Sequence, residues 1–290
     1  MGIRSILAPL LGTSDDMRML DRAMGIGALF RSHVEVLHVR PDPEEAFLYM
    51  GLDPKNREKS RQQFRDLIDA EGRAAAAEAR RHFDDYCRQH GIARAATPGE
   101  TQDLSAAYRE AMGEAAFVVP EHAKLADLTV FSWPLADQRS FWQSVFETTL
   151  LRAGGPVLAL PDAAEDLSLS RVLIAWDGSA SCARAVRSCL AAKADFEHVS
   201  VLSVEEENAE AADPSGLVRA LEWHGVTAGA ERIEAFRQPV GEIVLDTARR
   251  HGANVIVMGG YGHQRFREAI FGGTTRRLLR TSEIPLFMMH

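Results

Sequence analysis

ANVIVMGGYGHQRFREAIFGGTTRRLLR, residues Ala253 to Arg280, joins a short strand, a glycine-rich turn and the start of a helix in one stretch. The run Val255-Ile256-Val257-Met258 is apolar without alternation, the pattern of a strand buried on both faces. Glycines follow at 259, 260, 262, 272 and 273, and a helix is expected to open at Thr274. Glycine lacks Cβ, so it accepts positive φ and lets a ligand approach the backbone. Threonines at a helix start, just after glycines, suit a place where free N–H groups meet an anion. The stretch therefore predicts a βα unit whose turn can receive a phosphate.

The same alternation extends to either side. In the second half, strands are expected at Val172–Trp176, Val199–Val204, Val226–Phe236 and Ile284–Met288. Helices are expected at Ser181–Ala192, Pro214–His224, Val240–His251 and Thr274–Arg280. In the first half, Ile3–Pro9, Val34–Val39, Ala93–Ala96, Leu128–Phe131 and Val157–Leu160 read as strands. Asp15–Phe30 reads as a helix with Met19, Leu20, Ala23 and Met24 on one face. Pro54–Gln89 reads as a long, charged, exposed helix, and Gly113–Leu125 as a helix around Pro120. Between Ile92 and Met112 only the short third strand is legible, with an irregular piece at Pro98-Gly99.

The two halves repeat. Ile6–Thr13 matches Val172–Ser179, Ala126–Phe131 matches Ala253–Met258, and Gly155-Pro156-Val157-Leu158 matches Glu283-Ile284-Pro285-Leu286. Short apolar strands alternating with helices imply right-handed crossovers and a parallel sheet covered on both faces. The acidic stretch 162–170 is the expected linker, between a domain at 1–161 and another at 171–290.

Composition narrows the function classes. A chain of 290 residues with 46% hydrophobic and 26% charged content is long enough for two α/β cores. The net charge of −8 argues against a nucleic-acid partner. Cys87, Cys182 and Cys189 show no metal or redox spacing and read as apolar packing in a reducing compartment. Without a signal-peptide pattern or an apolar run of about 18 residues, the expectation is a soluble, cytoplasmic protein with no membrane partner. There is no G-x-x-x-x-G-K-[ST], no G-x-G-x-x-G after a first strand, no G-x-S-x-G and no metal-ligand spacing. Hence no catalytic residue and no metal ligand is assigned, and the chain is not read as an enzyme. At most, slow ATP hydrolysis would be incidental.

Three features resemble the universal stress protein family, and the whole chain resembles its tandem, two-domain members. They are Ala175-Trp176-Asp177-Gly178-Ser179 after the first strand, Pro239-Val240-Gly241-Glu242-Ile243 at the turn into a helix, and Gly259-x2-Gly262-x9-Gly272. The resemblance implies two tandem Rossmann-like domains of the adenine nucleotide alpha hydrolase type. Each would be a five-stranded parallel sheet of order 3-2-1-4-5 with helices on both faces. It also implies an intrachain pseudo-dimer through Val157–Leu160 and Ile284–Met288, and a homodimer is a further expectation.

In that order the loops after strands one and four flank the switch point where open α/β sheets bind ligands. The expected ligand is ATP, or ADP or AMP, with or without Mg. Ala175, Trp176 and Asp177 would form one wall, the Asp177 carboxylate accepting from ribose or base. Val204 would offer backbone groups to the adenine edge, as the resemblance implies. Met258 and Gly259 would form the other wall. Amides of Gly262, Gly272, Gly273, Thr274 and Thr275 would take the phosphates.

Plainer readings of the same residues are that Asp177 caps a helix and the glycines only make turns. Arg276 and Arg277 read as solvated helix charges, and the remaining histidines as surface residues. Gly273 stands where the family pattern has serine or threonine. The first half departs further: Leu11 stands in the place of Asp177, and Ser132, Trp133 and Pro134 replace the first glycines. Trp133, Phe141, Trp142 and Phe146 crowd the same region, so that site is read as lost or converted to an apolar pocket. The alternative function is a nucleotide-free scaffold that binds a partner or apolar ligand through this aromatic-rich first half.

Overall fold

The structure, a computed structural model, describes residues 2–48, 57–95, 97, 103–132, 139–192, 195–206, 212–261 and 273–290. The chain is α/β, with its contacts divided between two compact units, Arg4–Ala153 and Gly154–His290. The division falls ahead of Gly154, whereas the sequence repeat suggested 161.

The N-terminal unit runs β1 (Ser5–Leu10), α1 (Asp16–Phe30), β2 (His33–Arg40), α2 (Pro43–Leu48), α3 (Arg57–His90), β3 (Ala93–Arg94), β4 (Ser105–Met112), α4 (Ala115–Ala123), β5 (Leu128–Ser132) and α5 (Arg139–Arg152). Its strands pair in parallel as β3-β4-β2-β1-β5. The long strand beside the two-residue edge strand β3 is β4, in the segment where sequence reading found only a short strand near Ala93. Its residues explain the miss. Ser-Ala-Ala-Tyr-Arg-Glu-Ala-Met buries Ser105 and Ala106 and exposes Arg109 and Glu110, so it carries no apolar run.

The C-terminal unit runs β6 (Val157–Leu160), β7 (Arg171–Ala175), α6 (Ala180–Ala192), β8 (His198–Glu205), α7 (Ser215–Trp223), β9 (Ala228–Glu234), α8 (Val240–Arg250), β10 (Val255–Gly259), α9 (Gly273–Thr281) and β11 (Leu286–Met289). Parallel pairs give β9-β8-β7-β10-β11, and β6 joins β11 antiparallel. That pairing is why Val157–Leu160 belongs with this unit. Val172, Leu173 and Ile174 of β7 and Val255–Met258 of β10 are buried, as central strands covered on both faces must be.

The repeat noticed at Ala126-Asp127 and Ala253-Asn254 has a mechanical meaning. Asp127 Oδ2 accepts from the backbone N–H of Arg4 and of Ser5, both at 2.9 Å. Asn254 Oδ1 accepts from Arg171 N, also at 2.9 Å. In each unit the residue before the strand that flanks the first one (β5 beside β1, β10 beside β7) fastens the start of that first strand. Asn254 also ties down the supposed linker, donating through Nδ2 to Asp166 Oδ2 and Ser168 Oγ at 2.7 Å each. These bonds hold the Asp166 carboxyl below its ordinary range. The stretch 162–170 is thus an anchored segment and not a loose tether.

Candidate functional site

Order β9-β8-β7-β10-β11 places the topological switch point between β7 and β10. Met258 pairs with Ala175, so the two strands deliver their following loops side by side. Trp176 N donates to Leu202 O at 2.7 Å and prolongs the β7–β8 ladder by one bond. The chain then turns at Asp177 and Gly178. Asp177 is exposed, and its Oδ1 accepts from Ser179 N at 2.9 Å. Asp177 therefore braces the turn ahead of α6, which sets its carboxylate at the mouth of that turn. Gly178 has φ +72°, a left-handed conformation that glycine takes without strain.

Ser179 caps α6: its Oγ accepts from Cys182 N at 3.1 Å, which satisfies one of the free first-turn amides. Gly259 meets this turn directly. A Cβ added at Gly259 would lie 2.8 Å from Cys182 N, 2.9 Å from Ser181 Oγ and 3.1 Å from Ser179 Oγ. The end of β10 is therefore packed hard on the N-terminus of α6. Asp177, Ser179 and Gly259 are brought together there. Val204, half-buried, ends the neighbouring strand β8, and Met258 is buried below. Ser179 and Ser181 were not singled out as contacts of Gly259. Only their Ser-x-Ser pattern before a helix signals them, and a contact spanning some eighty positions leaves no local trace.

Gly273, Thr274 and Thr275 open α9, with Gly273 exposed and Thr275 buried. Among the described residues nothing lies within 4 Å of the place of a Cβ on Gly273. Gly262 and Gly272 lie outside the described residues, so their share of the cradle is not in view. Arg277 is exposed on α9, as sequence reading had it. It forms an ion pair with Glu242, and its side-chain stem lies 3.3–3.5 Å from where Gly241 would carry a Cβ. The Pro239–Ile243 motif thus serves the packing of α8 on α9.

The same loop in the N-terminal unit has different company. Asp16, only 2% exposed, accepts from Leu11 N at 3.1 Å and Gly12 N at 3.0 Å, so its carboxylate fastens the turn that Asp177 fastens in the other unit. Burial pushes the Asp16 carboxyl up, against those two bonds. A Cβ on Gly12 would fall 2.8 Å from Ala75 C and 2.9 Å from Ala75 Cβ, with Ala75 O nearer still. Helix α3 therefore passes over the carboxyl end of β1. Phe146 is core: it is buried and meets Phe131 edge-on at 5.4 Å between centroids. Trp133 and the side chains of Phe141 and Trp142 lie outside the described residues.

Not all histidines are at the surface, as sequence reading had them. His38 is 2% exposed, its Nδ1 3.1 Å from Leu10 O. At the far end of β8, away from the switch point, Ser200 Oγ lies 3.0 Å from His198 Nε2, and His251 Nε2 is 3.1 Å from Glu231 Oε2. No group of His, Cys, Asp and Glu suited to a metal occurs among the described residues. No described helix is long and apolar enough to cross a membrane.

The profile described as the universal stress protein family matches residues 168–290. This stretch holds the whole of β7–β11 and the Asp177–Gly259 junction. Residues 168–290 belong to the universal stress protein family. A universal stress protein of Synechocystis sp. is 27% identical over 123 residues, a stretch covering 41% of this chain and 42% of that protein. The chain thus spans less than half the length of that relative. Among solved structures, a universal stress protein from Archaeoglobus fulgidus superposes with a TM-score of 0.66 at 17% identity, over 98% of this chain and 94% of its own. A functionally unknown protein from Pseudomonas aeruginosa PAO1 gives 0.53 at 17% identity, over 99% and 92%. At such identities these two likenesses speak for the fold alone.

The site also predicts cysteine chemistry. Burial, with the Asp177 charge nearby, pushes the Cys182 thiol up to about 12, and burial raises Cys87 as well. A raised thiol pKa keeps the neutral form at pH 8, and the thiolate is the nucleophile. Iodoacetamide should therefore modify half-buried Cys189 in the folded protein. It should reach Cys182 far more slowly, because that thiol is fully buried and kept protonated. Peptide mass spectrometry after timed quenching checks this, and equal labelling of Cys182 and Cys189 contradicts it.

Proposed function

We propose that this universal stress protein domain binds one adenine nucleotide, ATP or its lower phosphates, at the switch point between β7 and β10, in a stress-response role. The observation that carries the reading is Gly259 packed on the N-terminus of α6 beside the Asp177 turn. That junction sets a carboxylate, for the ribose or base, beside a glycine loop and a helix start suited to phosphate. Ala175, Trp176 and Val204 line the base side. Gly262, Gly272, Gly273, Thr274 and Thr275 are assigned to phosphate through their amides, because Gly273 brings no hydroxyl. Magnesium, where present, would be held mainly by the phosphates.

The N-terminal unit is assigned no nucleotide, because Ala75 occupies the space beside Gly12. The reading is therefore of one nucleotide per chain, and of binding, not turnover. The test is equilibrium binding of ATP and ADP, with and without Mg, to the wild type, Asp177→Asn and Asp177→Ala. Both variants should lose about tenfold or more, the worth of a hydrogen bond to a charged group. Asn keeps an acceptor for Ser179 N, so a loss shared by both variants belongs to the ligand and not to the turn. A stoichiometry of two, or no binding at millimolar ATP, overturns the proposal.

A further inference from the structure

Phe236 combines two properties that rarely coincide. Its backbone is left-handed, with φ +41°, and its side chain is 80% exposed. Positive φ in a bulky residue is a real outlier, and such strain concentrates at ligand clamps. A lone exposed apolar side chain is ordinary. An exposed ring held out on a strained backbone is not, since glycine would satisfy this turn at less cost.

The turn itself is tightly made. Ala235 N donates to Glu205 O at 2.8 Å, and Gln238 N donates to Ala235 O at 2.7 Å, just ahead of α8. Register fixes where this turn lies. Val204 pairs with Ile233 and Glu205 with Glu234, so the chain leaves β9 beside the end of β8. It leaves at the carboxyl ends of the strands, the same edge from which the Asp177 and Gly259 loops depart.

We infer that Phe236 is a stacking surface for the base, the residue that makes this site prefer a purine nucleotide over bare phosphate. The inference rests on the nucleotide reading above. Every base has a π-face, and stacking on an aromatic ring contributes without reading hydrogen-bond edges. Phe236 would therefore supply affinity for the base, and Val204 and Asp177 the choice among bases.

The experiment measures melting midpoint and Kd for ATP, AMP and inorganic tripolyphosphate in wild type, Phe236→Gly, Phe236→Tyr and Trp223→Ala. Trp223 is the control, 91% exposed but without positive φ. Phe236→Gly should raise the melting midpoint by about 2 °C as the backbone strain is relieved. It should weaken ATP and AMP about tenfold, the order of one base-on-aromatic stack, and leave tripolyphosphate unchanged. Phe236→Tyr should keep wild-type affinity, and Trp223→Ala should bind like the wild type. A merely structural phenylalanine would lower stability on removal and move all three ligands alike. Wild type that binds ATP while Phe236→Gly binds it equally overturns this inference alone. Wild type that binds no nucleotide overturns the nucleotide reading, and this inference with it.

Discussion

Gly259→Val is expected to abolish nucleotide binding and to destabilise the C-terminal unit by about 3 kcal/mol. The nearest atom to the new Cβ is Cys182 N, at 2.8 Å, and it belongs to the first turn of α6. A flexible side chain could swing aside, but a capped helix backbone moves only with its helix. Ser179 Oγ and Ser181 Oγ, 3.0 Å from each other, are the next obstacles, and they hold the cap in place. Relief therefore requires α6 to lift from β10, which opens the junction between the Asp177 turn and the glycine loop. Gly273→Ser is the counterpart in sign. No described residue lies within 4 Å of its Cβ, so the substitution should fold normally and, by adding a hydroxyl donor, bind ATP at least as tightly. Urea denaturation with equilibrium binding on the same preparations gives both readouts. A folded Gly259→Val that binds ATP like the wild type would place the ligand elsewhere.

These two glycines show what the sequence could and could not disclose. Val255–Met258 and Val172–Trp176 were legible because central parallel strands are apolar on both faces. Strand β4 was not, since a strand of Ser, Ala, Tyr, Arg and Glu carries no such signal. Nor was α5: Arg139–Arg152 mixes polar and apolar residues without a clear stripe. At the site, spacing and resemblance picked out Gly259 and Asp177 together, yet only the fold shows why the glycine is required. Its neighbours are Ser179, Ser181 and Cys182, and no local pattern announces contacts that distant in the chain. Arg277 read correctly as a surface charge, but its pairing with Glu242 was not legible, because that partner lies on a different helix. Asp16 falls in the first turn of α1, where an acid is ordinary, so nothing local marks it. That it is buried, and holds the turn at Leu11 and Gly12, depends on α3 lying across it, with His82 Nδ1 3.5 Å from its carboxylate.

Gly12→Ala should destabilise the N-terminal unit by about 3 kcal/mol and leave ATP affinity untouched. Gly12 and Gly178 hold equivalent places after β1 and β7, with φ of +78° and +72°. Alanine at either pays the left-handed conformation, about 1 kcal/mol. The neighbours make the difference. Beside Gly178 the one obstacle among the described residues is the Ala212 methyl, 2.9 Å away, on the segment that precedes α7. Beside Gly12 it is the peptide of Ala75 in the middle of α3, a helix of 34 residues. That helix is also fixed by Tyr86 Oη donating to Asp21 at 3.0 Å and by the Arg40–Asp69 pair at 2.9 Å. Overpacking against such a backbone adds about 2 kcal/mol more. Ala75→Gly in the same chain should rescue little, because it removes the methyl and leaves the peptide in place. A lower denaturation midpoint with unchanged Kd for ATP would separate the two halves functionally. A parallel loss of ATP binding would mean that the covered end of β1 takes part in the nucleotide site after all.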